Sequence, residues 1–173
     1  IIRRLDELGR VVIPREYRRM YDINPGDPME MYALDNGDIV VRKVNLSSQL
    51  EFTSQASVKA LSDALNKTVL VSDLTCILSG CGTGKAPLLR RQVPSGIVGA
   101  LKAGKTLSTT TANDNADVVL ENSGFDYFAA CPIVYGDEVR GGLYLLSREP
   151  VTEEETLLLK TVAAIISESL PKV

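Results

Sequence analysis

Apolar residues fall into three successive rhythms along the chain, and each predicts a different kind of structure. At the start they come in short runs cut by turn residues. Ile1–Leu5 and Arg10–Ile13 read as strands around the turn Asp6-Glu7-Leu8-Gly9. Pro14 opens a short helix, because a proline at a first helical position lacks an N–H that would have been unpaired anyway. Asn24-Pro25-Gly26-Asp27 is a turn signal. Pro28–Leu34 and Ile39–Val44 then read as a hairpin through Asn36-Gly37, a pair suited to a type I′ turn with both central residues at positive φ. This segment is close to the size, about 40 residues, below which a single core rarely suffices. It is expected not to fold as a monomer, and two copies exchanging strands would complete each other's core.

A helical rhythm follows. Leu50, Ser54, Val58, Leu61 and Leu65 recur three or four residues apart within Ser47–Asn66, a spacing that makes one stripe on a helix. Ser48-x-x-Glu51 has the pattern of a capping box at its start. This connecting helix is expected to pack its apolar face on the second domain or on a symmetry mate.

From Thr68 strands return. Val69–Ser72 and Cys76–Ser79 predict a hairpin around Asp73-Leu74-Thr75, Pro94–Lys102 a helix, Thr106–Thr111 a strand and Asn113–Asp117 a polar loop. Tyr127–Val134 and Val139–Ser147 predict an antiparallel pair across Tyr135-Gly136-Asp137-Glu138. Thr152-x-x-Glu155 caps a final helix to Leu170, with Leu158, Leu159, Val162, Ile165, Ile166 and Leu170 on its apolar side. The fold class is α+β. The expected parts are residues 1–45, a linker helix over 46–66, and a second domain over 67–173.

Composition is that of ordinary globular protein, with 45% apolar and 24% charged residues. The net charge of −3 argues against a uniformly basic nucleic-acid binder, but its distribution changes that picture. Residues 1–20 carry six arginines against Asp6, Glu7 and Glu16, while residues 45–173 carry eleven basic and fourteen acidic residues. A basic tip on an acidic body orients approach to a polyanion. No apolar run reaches the roughly 18 residues of a membrane span, and no signal peptide is visible. The chain starts at Ile1 and not at Met, so a few native residues are expected to precede it.

Four of those arginines lie in LGRVVIPREYRR, over Leu8–Arg19. Arg15, Arg18 and Arg19 share one face of the short helix, and Tyr17, Met20 and Tyr21 share another. The run IIRRLDELGRVVIPREYRRMYDINPGDPMEMYALDNGDIVVRK resembles the swapped-hairpin DNA-binding domain of the AbrB/SpoVT family of bacterial transition-state and sporulation regulators. The match runs over Ile1–Lys43, with LGRVVIP and the paired arginines as its most specific parts. The resemblance implies an intertwined homodimer and places DNA contacts on Arg3, Arg10, Arg18 and Arg19; it leaves Arg15 unassigned, because that position varies in the family. Guanidinium suits the task, since its planar fork grips phosphate or guanine edges bidentately. Arg42 and Lys43 are expected to be solvated or to protect a strand edge. The later order of elements and the run PIVYGDEVRGGLYLLS resemble a GAF sensor domain, which follows the swapped hairpin in one branch of that family. The resemblance thus implies a cytoplasmic transcription regulator, activating and repressing, that binds double-stranded DNA. Its GAF-like domain would assemble the homo-oligomer, a homodimer or a homotetramer, and would either sense a small molecule or be purely structural.

Other chemistry is weakly supported. Gly80-Cys81-Gly82-Thr83-Gly84-Lys85 imitates a P-loop, but Ser79 and Ala86 stand where glycine and a magnesium-binding hydroxyl are required. It is expected to be a loop after a strand, at the mouth of a pocket. Arg90 and Arg91 read as surface charge. Cys76, Cys81 and Cys131 lack metal-ligand spacing and the chain has no histidine, so free thiols in a reducing cytosol are expected, with no metal, cofactor or catalysis. Two alternatives remain at this level: an antitoxin sharing the N-terminal fold, and a GAF-type thiol enzyme.

Overall fold

The computed structural model of the protein describes residues 1–109 and 123–170. The chain divides into two compact units, with the boundary between Asn45 and Leu46.

The first unit holds helix α1 (Arg15–Met20) and a hairpin of β1 (Met29–Ala33) with β2 (Ile39–Lys43). The hairpin registers Met31 against Val41 and Glu30 against Arg42. Its turn is not the expected type I′. Gly37 donates to the Leu34 carbonyl and Leu34 to the Asp38 carbonyl, both at 2.9 Å, and Gly37 alone in the turn has positive φ. Asp35 joins the loop, which makes it a three-residue connection with a glycine in the left-handed position. The turn at Asp6–Gly9 repeats this pattern, with Gly9 donating to Asp6 and Asp6 to Arg10, both at 3.0 Å. Its arms, however, do not form the expected strands Ile1–Leu5 and Arg10–Ile13. Ile2 is 92% exposed and Val12 74%, so among the described residues of the first unit no layer covers these two side chains, and a lone two-stranded ribbon is marginal in water. Helix α1 ends with Asp22 at positive φ and the Ile23 N–H on the Arg18 carbonyl, 2.8 Å away, which satisfies an otherwise orphaned carbonyl.

The second unit is built on one antiparallel sheet. Its strands are β3 (Thr68–Asp73), β4 (Ile77–Cys81), β5 (Leu107–Ser108), β6 (Tyr127–Tyr135) and β7 (Glu138–Ser147), in the spatial order β4-β3-β7-β6-β5. Helix α2 (Leu46–Leu65) and helix α4 (Glu153–Ser169) pack on this unit, and α3 (Ser95–Lys102) lies between β4 and β5 in sequence.

Alternation along the strands sorts two cores. Val69, Val71, Ala129, Cys131, Ile133, Leu143 and Leu145 pack with Leu50, Val58 and Leu61 of α2 and with Leu159, Ala163 and Ile166 of α4. The residues between them, Leu70, Phe128, Ala130, Tyr144 and Leu146, pack on the other face with Ile97 and Leu101 of α3 and with Leu88 and Val93. Side chains at successive strand positions point to opposite faces, so a sheet covered on both sides reads as a continuous apolar run.

Three expectations are corrected here. Helix α2 starts at Leu46, so Ser48 lies inside its first turn rather than capping it, and Ser47 Oγ instead donates to Asp73 Oδ2 at 2.7 Å. On α4 the capping box forms as expected at Thr152 and Glu155, but Leu158 and Ile165 face outward; the buried line is Leu159, Ala163 and Ile166. The strand expected over Thr106–Thr111 is described only as Leu107–Ser108, and its last residues, with the loop Asn113–Asp117, lie outside the described residues.

Candidate nucleic-acid interface

The first hairpin turn fixes one arginine. Asp6 Oδ1 accepts the N–H groups of Leu8 (3.0 Å) and Arg10 (2.8 Å), and Asp6 Oδ2 accepts Arg10 Nε at 2.8 Å. The Arg10 backbone N–H first, and its guanidinium next, hold the Asp6 carboxyl below its ordinary value. The bond to Arg10 uses Nε, the nitrogen nearest the stem, and not the terminal Nη1–Nη2 fork.

The other anticipated contacts surround this turn in sequence. Arg3 lies on its first arm, exposed, with Nη1 donating to the Ile2 carbonyl at 3.4 Å. Arg18 and Arg19 are exposed in the last turn of α1, where cations complement the negative end of the helix dipole. Arg15 is also exposed, at the start of α1. Arg3 and Arg10 therefore stand on the two arms of one turn, and Arg18 and Arg19 on the helix that follows.

Two further cations in this unit are engaged inside it. Lys43 Nζ meets Asp27 Oδ2 at 2.8 Å and donates to the Asp22 carbonyl, tying the end of β2 to the loop after α1. The Asp27 partnership raises the Lys43 pKa, and Lys43 in turn lowers that of Asp27. Arg42 Nε meets Glu30 Oε2 at 2.6 Å across the hairpin, with its guanidinium carbon 5.4 Å from the Tyr32 ring centre. Arg42 and Lys43 are thus held by cross-links and are not merely solvated. Sequence reasoning also missed Asp6 as the partner of Arg10. The signal was there in the four-residue spacing of opposite charges across a glycine turn.

Between the arms, α1 and the hairpin runs an apolar groove of about 440 Å³, lined by residues that include Val11, Val12, Tyr17, Tyr21, Met29 and Val41. The second unit has a cleft of about 710 Å³ lined in part by Lys67, Thr68, Gly82, Gly84, Phe125 and Arg148. Gly80 and Cys81 belong to β4 and not to a loop. The glycines here serve packing: a Cβ on Gly80 would fall 2.4 Å from Leu70, and one on Gly82 2.7 Å from Thr68. Lys85 Nζ donates to the Gly80 carbonyl at 2.7 Å. On the α3 face of the sheet, the void among Leu70, Leu88, Tyr144 and their neighbours is only about 20 Å³, room for about one water. Arg90 pairs with Glu51 at 3.7 Å. No cluster of potential metal ligands occurs among the described residues, and none of the described helices is long and apolar enough to cross a membrane.

An arginine-bearing hairpin unit ahead of a GAF-fold unit defines a DNA-binding transcriptional regulator. The chain belongs to the family described as "Stage V sporulation protein T C-terminal, transcription factor", whose model matches residues 49–170. Residues 2–49 match the model described as "Antidote-toxin recognition MazE, bacterial antitoxin". The chain is similar to stage V sporulation protein T of Bacillus subtilis (strain 168), at 27% identity over 98% of this chain and 96% of the relative. It is also similar to the transition state regulatory protein AbrB of the same organism, at 40% identity over 40% of this chain and 72% of the relative. Among solved structures it resembles a GAF domain/HD domain protein from Geobacter sulfurreducens, with a TM-score of 0.57 at 14% identity over 73% of this chain and 96% of that one. A type II free methionine-R-sulfoxide reductase from Thermoplasma acidophilum has a TM-score of 0.58 at 13% identity over 73% of this chain and 95% of that one. These two likenesses establish the fold alone.

Proposed function

We propose that the protein regulates sporulation genes as an intertwined dimer that grips duplex DNA with Arg3, Arg10, Arg18 and Arg19, two sets per dimer. The observation that carries this reading is the pair of arms beside Asp6–Gly9. Their turn is closed by hydrogen bonds, their arginines are exposed, and so are Ile1, Ile2, Leu5, Val11 and Val12. A second copy whose arms enter the apolar groove would cover these side chains and bring two arginine sets into two-fold relation. The exposed Leu157, Leu158 and Ile165 of α4 support assembly of dimers into a tetramer through the GAF-fold units.

Fluorescence anisotropy against duplex DNA over a range of salt tests the reading. Log affinity is expected to fall linearly with log salt, at about 0.9 per phosphate neutralised. Arg10→Ala and the double change Arg18→Ala/Arg19→Ala are each expected to weaken binding and flatten that slope. A folded, oligomeric chain that binds no duplex even at low salt overturns it.

The proposed role is not enzymatic. Of the three free cysteines, Cys131 is buried and its thiol is pushed up by that burial, which disfavours the reactive thiolate at that position, while Cys76 and Cys81 are partly exposed. A thiol-dependent turnover abolished by Cys→Ser changes would contradict this. The wide cleft is the candidate place for a small-molecule ligand, and a thermal-shift screen of metabolites tests it. The match of residues 2–49 to an antitoxin model favours a second reading, tested by copurification with a toxin. Against it, residues from Leu46 onward form a unit with its own core and not an unfolded acidic tail.

A further inference from the structure

We propose that Asp6 is a positioning residue for DNA recognition, presenting the Arg10 guanidinium to the duplex in one set orientation. The proposal rests on the reading that Arg10 touches DNA.

The molecule contains its own control for what the Asp6 carboxylate does. Both hairpin turns close with the same two backbone bonds, Gly9 to Asp6 and Asp6 to Arg10 in one, Gly37 to Leu34 and Leu34 to Asp38 in the other. The second turn has leucine where the first has Asp6, and its side-chain acceptor is Asn36, which receives the Asp38 N–H at 3.0 Å. An acidic first residue is therefore one of two ways to close this turn: Asn36 supplies in the second the side-chain acceptor that Asp6 Oδ1 supplies in the first, where Leu8 stands at the matching position. What the carboxylate adds is the ion pair, with Oδ1 anchored on two backbone N–H groups and Oδ2 holding Nε.

Arg10 needs that restraint. Its side chain is 71% exposed, so packing does little to choose among its rotamers. A long cation free to swing must be ordered when it binds, and that ordering opposes binding. The Asp6 carboxylate is itself fixed to the turn, so it orders the stem beforehand and leaves the terminal fork for a phosphate or a guanine edge.

The sign of the effect makes the proposal testable. Simple electrostatics says that an acidic side chain beside a polyanion site weakens binding, so its removal should tighten it. Positioning predicts the reverse. Asp6→Asn is the informative change, because its amide oxygen still accepts the Leu8 and Arg10 N–H groups while its NH2 cannot accept Nε. The circular dichroism spectrum and oligomeric state of the full chain are expected to match wild type, and affinity to fall by about fivefold. In an Arg10→Ala background the same change is expected to cost nothing, or to tighten binding slightly. Asp6→Asn that binds as tightly as wild type, or more tightly, while Arg10→Ala binds weakly, overturns the positioning role alone. Arg10→Ala that binds at full strength overturns the contact reading and the proposal with it. An equal loss from Asp6→Asn in both backgrounds shows that Asp6 acts independently of Arg10, and also overturns it.

Discussion

The Tyr144 hydroxyl lies 3.0 Å from the Ser72 hydroxyl, inside the second unit, where both residues are buried. They sit on adjacent strands, with Ser72 registered against Gly142 and Tyr144 two residues further along β7. A Cβ on Gly142 would fall 2.9 Å from the Tyr144 hydroxyl and 2.8 Å from Leu101. The glycine thus leaves the space that the tyrosine takes to reach its partner.

Gly142→Ala is therefore expected to destabilise the second unit by overpacking, at a cost of about 1–3 kcal/mol. Urea unfolding should show a lower midpoint with an unchanged slope. Loss of near-ultraviolet tyrosine ellipticity would accompany it as the ring is displaced.

The same tyrosine predicts an alkaline limit. Burial pushes its hydroxyl from the ordinary 10.0 up to about 12. A folded-state value above the unfolded one gives a contribution fully present below pH 10 that is lost as pH rises to about 12. At about 1.4 kcal/mol per pH unit the full loss approaches roughly 3 kcal/mol. Unfolding free energies measured from pH 8 upward should fall less steeply for Tyr144→Phe than for wild type. Parallel curves would show that another group governs the decline.

Glu155 has two jobs. It accepts the Thr152 N–H at 3.0 Å in the capping box and meets Lys67 Nζ at 2.6 Å, with both side chains of that pair 16% exposed. Thr152→Ala loses a cap, at about 1 kcal/mol. Glu155→Ala is expected to cost more, about 2–3 kcal/mol, because it also strands a largely buried ammonium. Equal costs in chemical denaturation would mean that the ion pair contributes nothing net.

Lys43 and Arg18 should separate in their effects. Lys43→Met breaks the tie between β2 and Asp27, and is expected to lower the melting temperature by a few degrees while leaving the salt slope of DNA binding within about 0.5 of wild type. Arg18→Met is expected to lower the slope and leave melting unchanged. Calorimetry and anisotropy on the two variants check both halves.

Val12 tests the association. It is exposed on the second arm and lines the apolar groove. Val12→Asp is expected to yield a species of lower mass in sedimentation velocity, because a buried, unpaired carboxylate in the joined core is costly. DNA affinity should fall at least about tenfold with it.

Local signals carried much of this fold. The runs Val69-Leu70-Val71 and Leu143–Leu146 mark strands, and Thr152-x-x-Glu155 marks a helix start, because each is decided by near neighbours. The arms Ile1–Leu5 and Arg10–Ile13 have the apolar pattern of strands, but pattern alone does not supply the packed layer a ribbon needs, and the first unit leaves Ile2 and Val12 exposed. Dipeptide chemistry points to Asn36-Gly37 but does not count the loop, which holds Asp35 as well. The apolar stripe of α4 on a helical wheel includes Leu158 and Ile165, but it is wider than the line that is buried, which is Leu159, Ala163 and Ile166. Of the arginines, the residue type and helical face were readable, whereas their roles came from resemblance, and the Asp6 tie to Arg10 came only from geometry.

On the intertwined-pair reading, the uncovered arms Ile1–Leu5 and Arg10–Ile13 give the protein a dose response. Where the competent species is a joined pair, most chains are still single and the operator is far from saturated, occupancy scales with the square of chain abundance, so halving synthesis leaves about a quarter of it. A cell could then cross from silence to control over a narrow span of expression, with the threshold written into the first thirteen residues.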